Sequence, residues 1–177
     1  FRIAANATEI VTTQGLAVGI NYFFKKYNLG GNYSWNVLNK QGADDPIIPA
    51  FNTPEHKFNI SFSGTKVKLP FVDNENFGFG INYKWIQGFV FEGSPQFTGT
   101  VPTYDMVDAQ INYEVPSWNM SFKLGGSNIL GIIPLFDAAG ENTQRSVFNN
   151  LNYQVYGGPF VGRMVYFSAQ HNLVFKK

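Results

Sequence analysis

The side chains able to do chemistry are few and scattered. His56 and His171 are the only histidines. They fall in different stretches with no acidic residue at ligand spacing nearby, so two isolated imidazoles are a plainer reading than a metal pair. Ser168 lies near His171, but nothing in the sequence sets a base beside a nucleophile, and a hydrolytic triad is recognised by geometry. The chain has no Cys, which excludes disulfides and thiolate ligation. Asp44-Asp45 resembles a fragment of a Ca²⁺ loop, although a solvated charge pair explains it as well. Gly78-Phe79-Gly80 and Gly125-Gly126 are not phosphate cradles, because no helix follows them. Asn6, Asn32, Asn59 and Asn119 each open an Asn-x-Ser/Thr triplet, and at least three of them fall inside expected strands rather than exposed loops. The sequence therefore predicts no enzyme, no cofactor and no metal.

A different set of polar residues is organised by periodicity. Asp108, Gln110, Asn112 and Glu114 alternate with Val107, Ala109, Ile111 and Tyr113. Lys84 belongs to a similar run, in which Gly80, Asn82 and Lys84 alternate with Phe79, Ile81, Tyr83 and Trp85. Successive side chains of a strand point to opposite faces, so each run has one apolar and one polar side. The pattern recurs at Leu16, Val18, Ile20, Tyr22 and Phe24, at Phe58, Ile60 and Phe62, and at Met120, Phe122 and Leu124. It is weaker at Tyr33, Trp35 and Val37. It is least clean in the last stretch, where Arg163 and His171 fall among Val165, Phe167 and Leu173.

Seven strands follow, at about 13–24, 29–40, 56–68, 77–91, 104–115, 118–130 and 160–174, with residues 1–12 extending the first or closing a loop. Most exceed the five or six residues usual in globular strands and match the roughly 9–11 tilted residues that cross a bilayer. Their connections alternate in length. Residues 25–28, 69–76 and 116–117 are short links, whereas 41–55, 92–103 and 131–159 are long. Outer-membrane barrels sort their connections this way, with short periplasmic turns and long extracellular loops. The longest loop precedes the last strand, so the C-terminus is expected in the periplasm.

Composition separates a membrane barrel from a soluble sandwich. Charged residues are only 14% of the 177 and aromatics reach 17%, with 18 Phe and 9 Tyr. The face opposite the apolar one is rich in Asn, Ser and Gly, where a solvated sheet would carry Lys, Glu and Arg. Aromatics gather near strand ends, at Tyr22, Phe23, Phe24 and Tyr27, at Tyr113 and Trp118, and at Phe89 and Phe91. Strand ends are where an interfacial girdle belongs. The apolar face then meets lipid, and Lys84, Asp108, Gln110, Asn112 and Glu114 line a wet lumen. A net charge of +1 without a basic cluster argues against nucleic acid. Phe1-Arg2-Ile3-Ala4 has neither the charged nor the apolar segment of a signal peptide, which implies a mature chain or a fragment. Seven strands do not close a bacterial barrel, so either residues 1–12 add an eighth or the chain is part of a larger barrel.

Several phrases resemble the C-terminal region of Bacteroidetes TonB-dependent receptors of the SusC/RagA type. They are Glu9-Ile10-Val11-Thr12-Thr13-Gln14-Gly15, Phe51-Asn52-Thr53-Pro54-Glu55-His56-Lys57-Phe58-Asn59, and Thr100-Val101-Pro102-Thr103-Tyr104-Asp105-Met106-Val107-Asp108-Ala109-Gln110-Ile111-Asn112-Tyr113. Lys123-Leu124-Gly125-Gly126-Ser127-Asn128-Ile129-Leu130 and Tyr156-Gly157-Gly158-Pro159 complete the series, in the family's order. The resemblance implies the last strands of a 22-stranded barrel around an N-terminal plug. It implies import of a bulky nutrient, a glycan or peptide, driven through TonB, with a SusD-like surface lipoprotein as lid. In such a receptor the five lumen residues meet plug or substrate, and Tyr153 and Tyr156 in the last long loop stack on a sugar or join the girdle. Two features depart from the family: the plug is absent from this chain, and Lys176-Lys177 follow Phe175 where the family commonly ends on an aromatic. The alternative is a stand-alone eight-stranded barrel with a structural or adhesive role.

Overall fold

The computed structural model describes residues 11–39, 52–70, 72–92, 98–131, 137–138 and 163–173. Alternating, β-branched and aromatic runs form long strands here, as the pleat requires. They are β1 (Thr12–Phe24), β2 (Tyr27–Asn39), β3 (His56–Leu69), β4 (Val72–Ile86), β5 (Phe89–Glu92), β6 (Thr98–Val101), β7 (Tyr104–Val115), β8 (Met120–Ser127), β9 (Asp137–Ala138) and β10 (Met164–His171). Seven form one sheet in the order β1-β2-β3-β4-β7-β8-β10, and β5-β6-β9 form a small second one. Every pairing in both sheets is antiparallel. Among the described residues no helix is long and apolar enough to cross a membrane.

The register keeps each face uniform across the sheet. Val18 pairs with Tyr33, Tyr33 with Phe58, and Phe58 with Trp85. The neighbouring row runs Gly19, Asn32, Asn59, Lys84. A slip of one residue in any strand would mix the two faces, so the alternation itself fixes the register. Aromatic pairs lock the apolar face. Phe58 stacks on Trp85 at 5.3 Å and Phe62 meets Phe79 edge-on at 5.3 Å.

The sheet has almost no core of its own. Among the described residues only Val101 and Tyr104 are buried hydrophobics, and both lie at the end of the sheet carrying the long connections. The apolar face stands open, with Leu16 56%, Ile20 68% and Phe167 68% exposed. A soluble protein rarely leaves so continuous an apolar surface uncovered.

All seven expected strands are present in the large sheet, with corrected ends. The strand expected at 77–91 begins at Val72 and stops at Ile86. Beyond it the Gln87 N–H donates to the His56 carbonyl, the Gly88 N–H donates to Thr103 Oγ1, and the chain leaves the sheet. Phe89–Glu92 then pairs with Thr98–Val101, so the connection expected as an open loop at 92–103 contains half a hairpin. The link expected at 69–76 shrinks to 70–71, because two register shifts let β3 and β4 continue pairing to Leu69 and Val72. Lys66, at φ 53°, lies within the first shift. Asn119 is not in a strand: Pro116–Trp118 is a single 3₁₀ turn, and Asn119 closes it at φ 50°. Only Asn32 and Asn59 of the four triplets are in strands, and Asn6 lies outside the described residues.

The turn between β1 and β2 is a two-residue link, Lys25 and Lys26, with Phe24 paired to Tyr27. Lys25 has φ 52°, whereas Lys26 does not, the sign pattern of a type II′ hairpin turn. The three short links all lie at one end of the sheet, opposite the long ones.

The two faces predict opposite responses to a charge. Val18→Arg, at the middle of β1 on the apolar face, should cost about 2–4 kcal/mol in a lipid-embedded sheet. Asn32→Arg, one row away on the polar face, should cost well under half of that. Denaturant unfolding of the vesicle-inserted protein measures both, and equal losses would contradict the face assignment.

Candidate functional site

The polar face gathers residues from all seven strands of the large sheet into rows. One row runs Asn21, Gly30, Ser61, Asn82, Asp108 and Ser127. The next runs Asn28, Ser63, Gly80, Gln110, Gly125 and Tyr166. Ser61, Asn82, Asp108, Gln110, Ser127 and Tyr166 line a shallow groove of about 420 Å³ between these rows. All five residues expected to line the lumen, Lys84, Asp108, Gln110, Asn112 and Glu114, share this face.

The structure gives each a distinct setting. Asp108 Oδ1 accepts from Ser127 Oγ at 2.8 Å and from the Asn128 N–H at 2.8 Å. The Asn82 side chain also hydrogen-bonds this carboxylate, and the Lys84 charge acts on it from the neighbouring row. Asn128 sits at φ 47° and is buried. Asp108 therefore holds the exit of β8, where the chain turns into its longest connection. Gln110 is engaged too, accepting at Oε1 from the Tyr166 hydroxyl at 3.1 Å. The Tyr166 ring lies over Gly125, where a Cβ would collide with it. Asn112 lies over Gly78 in the same manner, its amide 2.5 Å from where a Cβ would be. Glu114 pairs with Ser121 near the short-link end.

Tyr166 and Ser127 are the residues that sequence reasoning missed. Tyr166 falls between Val165 and Phe167, on the polar side of the least regular strand. The available signal was Gly125, a gap on the polar side of the partner strand wide enough for a ring.

Other candidates separate in space. His56 starts β3 at the long-connection end, and His171 ends β10 opposite Met120 at the short-link end, so the two cannot share a metal. His56 instead joins an aromatic corner on the apolar face: Tyr33 hydroxyl and His56 Nδ1 are 2.6 Å apart, and Trp35 Nε1 donates to Glu55 Oε1 at 3.2 Å. Ser168 pairs with Lys123 and His171 with Met120, which puts them on opposite faces and separates the imagined nucleophile from its base. Among the described residues no group of three or more His, Asp or Glu could hold a metal. Asp44, Asp45, Tyr153 and Tyr156 lie outside the described residues. The polar face thus offers neutral donors and acceptors, the lysines Lys57, Lys84 and Lys123 and the carboxylates Asp108 and Glu114, suited to hydrogen-bonding a polar solute or another polypeptide.

A family model for the TonB dependent receptor-like β-barrel matches residues 3–129. The chain belongs to that family. No curated protein matches it. The matched stretch carries every strand of the large sheet except β10. TonB-dependent receptor barrels reside in the outer membrane, so the apolar face meets lipid and the polar face encloses the lumen. The family is one of transporters rather than enzymes, and its barrels work with a plug and with TonB.

Two substitutions test the anchoring roles. Asp108→Ala should destabilise the barrel by about 1–3 kcal/mol, because the Asn128 N–H and Ser127 hydroxyl lose their acceptor. Asp108→Asn keeps an oxygen there and should recover most of it, read by the temperature at which the folded band is lost in a heat-modifiable gel shift. Gly125→Val should displace Tyr166 and broaden labels placed on β10, seen by spin-label spectra in vesicles.

Proposed function

We propose that this chain forms the C-terminal wall of a TonB-dependent importer of the SusC/RagA type from Bacteroidetes, carrying a bulky nutrient, a glycan or peptide. The observation that carries it is the juxtaposition of a lipid-suited face with a continuous hydrogen-bonding face on one seven-stranded antiparallel sheet of this barrel family. Among the described residues β1 and β10 each have one neighbour in that sheet. An unpaired strand edge in hydrocarbon costs several kcal/mol for each unsatisfied group, so both edges call for further strands. A 22-stranded barrel with a plugged lumen supplies them. The ordered phrases that resemble the SusC/RagA type support the finer assignment.

In this reading the polar rows face the plug and the passing solute. Lys84, Asn112 and Glu114 are the contacts offered to either. Asp108 and Gln110 shape the wall, since their acceptors are held by Ser127, Asn128 and Tyr166. Neutral amides and hydroxyls suit an uncharged polar cargo such as a glycan or a peptide backbone. Tyr153 and Tyr156 belong to the longest extracellular loop, where a SusD-like lipoprotein would close over the barrel. The short links face the periplasm, as does the C-terminus.

The absence of Cys from this stretch makes the topology testable by single-cysteine labelling in whole cells. Asn52→Cys, beside a long connection, should react with a membrane-impermeant maleimide added outside. Lys66→Cys, beside a short link, should react only after the outer membrane is opened. The reverse pattern would invert the orientation. Sequencing upstream of Phe1 should reveal further strands and a plug in frame, and a signal peptide directly before Phe1 would refute the importer.

A further inference from the structure

The polar face carries an aromatic ring laid across three strands. Tyr166 of β10 stands opposite Gly125 of β8, and Gly125 stands opposite Gln110 of β7. The Tyr166 hydroxyl donates to Gln110 Oε1 at 3.1 Å, so this side chain spans β8 completely. It does so by lying along the wall, because a Cβ on Gly125 would collide with its Cζ and hydroxyl. A tyrosine standing up from the sheet would need no glycine beneath it. One face of the ring therefore rests on β8. The residue is still 37% exposed and borders the groove, so the other face is open to it.

The same bond sets what surrounds the ring. With Oε1 taken by the hydroxyl, Gln110 turns its Nε2 toward Gly80, 3.5 Å from where a Cβ would be. Gly80 keeps the floor of the groove low, and Ser61, Ser63 and Asn82 border it. Charge is matched within the wall. Asp108 accepts from Ser127 and the Asn128 N–H, and the Lys84 charge acts on it. The groove of about 420 Å³ thus combines a fixed aromatic face with hydroxyl and amide groups.

We propose that Tyr166 is a stacking platform for a neutral pyranose of the cargo, with Gln110, Ser61, Ser63 and Asn82 meeting the hydroxyls around that sugar. The site rests on the polar face lining an importer's lumen, and it chooses the cargo class within that reading. A pyranose presents C–H groups on its faces and hydroxyls at its rim. The electron-rich face of the tyrosine attracts the polarised C–H bonds. The rim hydroxyls then project sideways, where the side-chain donors and acceptors stand. A peptide is read by other means, since its backbone seeks the free N–H and C=O groups of a strand edge. The groove floor lies in mid-sheet, where β4, β7 and β8 already pair with one another. An anionic cargo would find the Lys84 charge already acting on Asp108. A ring fixed at both ends also loses little side-chain freedom when a sugar stacks on it.

The test uses the full-length receptor in lipid nanodiscs and saturation-transfer NMR, with maltohexaose, cellohexaose and a neutral peptide of alternating Gly and Ser as probes. Wild type should bind at least one hexasaccharide, with the strongest transfer to pyranose C–H protons. Tyr166→Ala should weaken that binding by about fivefold, as expected for a lost stacking contact. Tyr166→Phe keeps the ring and should keep most of the binding. Ser168→Ala, on the same face of β10 but opposite Lys123 and outside the groove, should change nothing. A heat-modifiable gel shift confirms that each variant is folded. Binding of neither hexasaccharide, unchanged binding in Tyr166→Ala, or binding of the peptide alone overturns the platform and leaves the importer standing. The lumen assignment beneath it has a separate check. Ser63→Cys, in the groove, should react with a water-soluble maleimide, and Ile60→Cys, on the opposite face, should not. The reverse labelling would overturn the importer reading itself.

Discussion

The fold depends on backbone hydrogen bonding in a medium that offers no water. In hydrocarbon each peptide group must find its partner within the protein, and for strands that means a continuous ladder. The seven-stranded sheet meets this demand strand by strand, with long registers in which almost every residue is paired. Once the ladder is set, the period of two does the rest. It sends Leu, Val, Ile and aromatic side chains to one side and Asn, Ser, Gly and Gln to the other. In a globular protein the apolar side would be the core; here it stays exposed because the bilayer is its solvent.

The two ends of the sheet are built differently, and the difference follows from their connections. At the short-link end the hairpins turn within a few residues, and aromatic and lysine side chains crowd around the turns. At the long-connection end the chain must leave the ladder and return. That is where the polar anchors cluster. Asp108 satisfies the turn after β8, Gln87 and Thr103 peel the chain away after β4, and Val101, Tyr104 and Asn128 form what little interior exists. A side chain on the lumen wall can therefore have a structural task. Asp108 reads in isolation as a free carboxylate facing a channel, yet its oxygen is committed to Ser127 and Asn128.

Much of the architecture was legible because alternation is a local property. The seven strands of the large sheet, their faces and the sorting of short and long links all follow from residues within a few positions of one another. Strand ends were less legible. The expected strand through residues 77–91 contained an apolar continuation at Phe89 and Phe91, and nothing local announces that His56 and Thr103 bind its backbone away. Phe89–Glu92 pairs with Thr98–Val101 across a short gap, but that hairpin then pairs with Asp137–Ala138, a segment tens of residues further on.

The sequence by itself determined which residues share a face, because the pleat admits one periodicity and the side chains obey it. It also determined the barrel family, since the match rests on the order of residues along the chain. Only the tertiary structure decided which residues on a face meet. Tyr166 reaches Gln110 across β8 because Gly125 leaves room, and Ser127 reaches Asp108 because β7 and β8 pair in one register out of several. The turn of the first hairpin and the start of the register shift in the second, distant in sequence, meet at one end because β2 and β3 pair from Tyr27–Gly64 to Trp35–His56. Face is set by local geometry, whereas neighbourhood is set by pairing between distant strands, and that pairing is what folding adds.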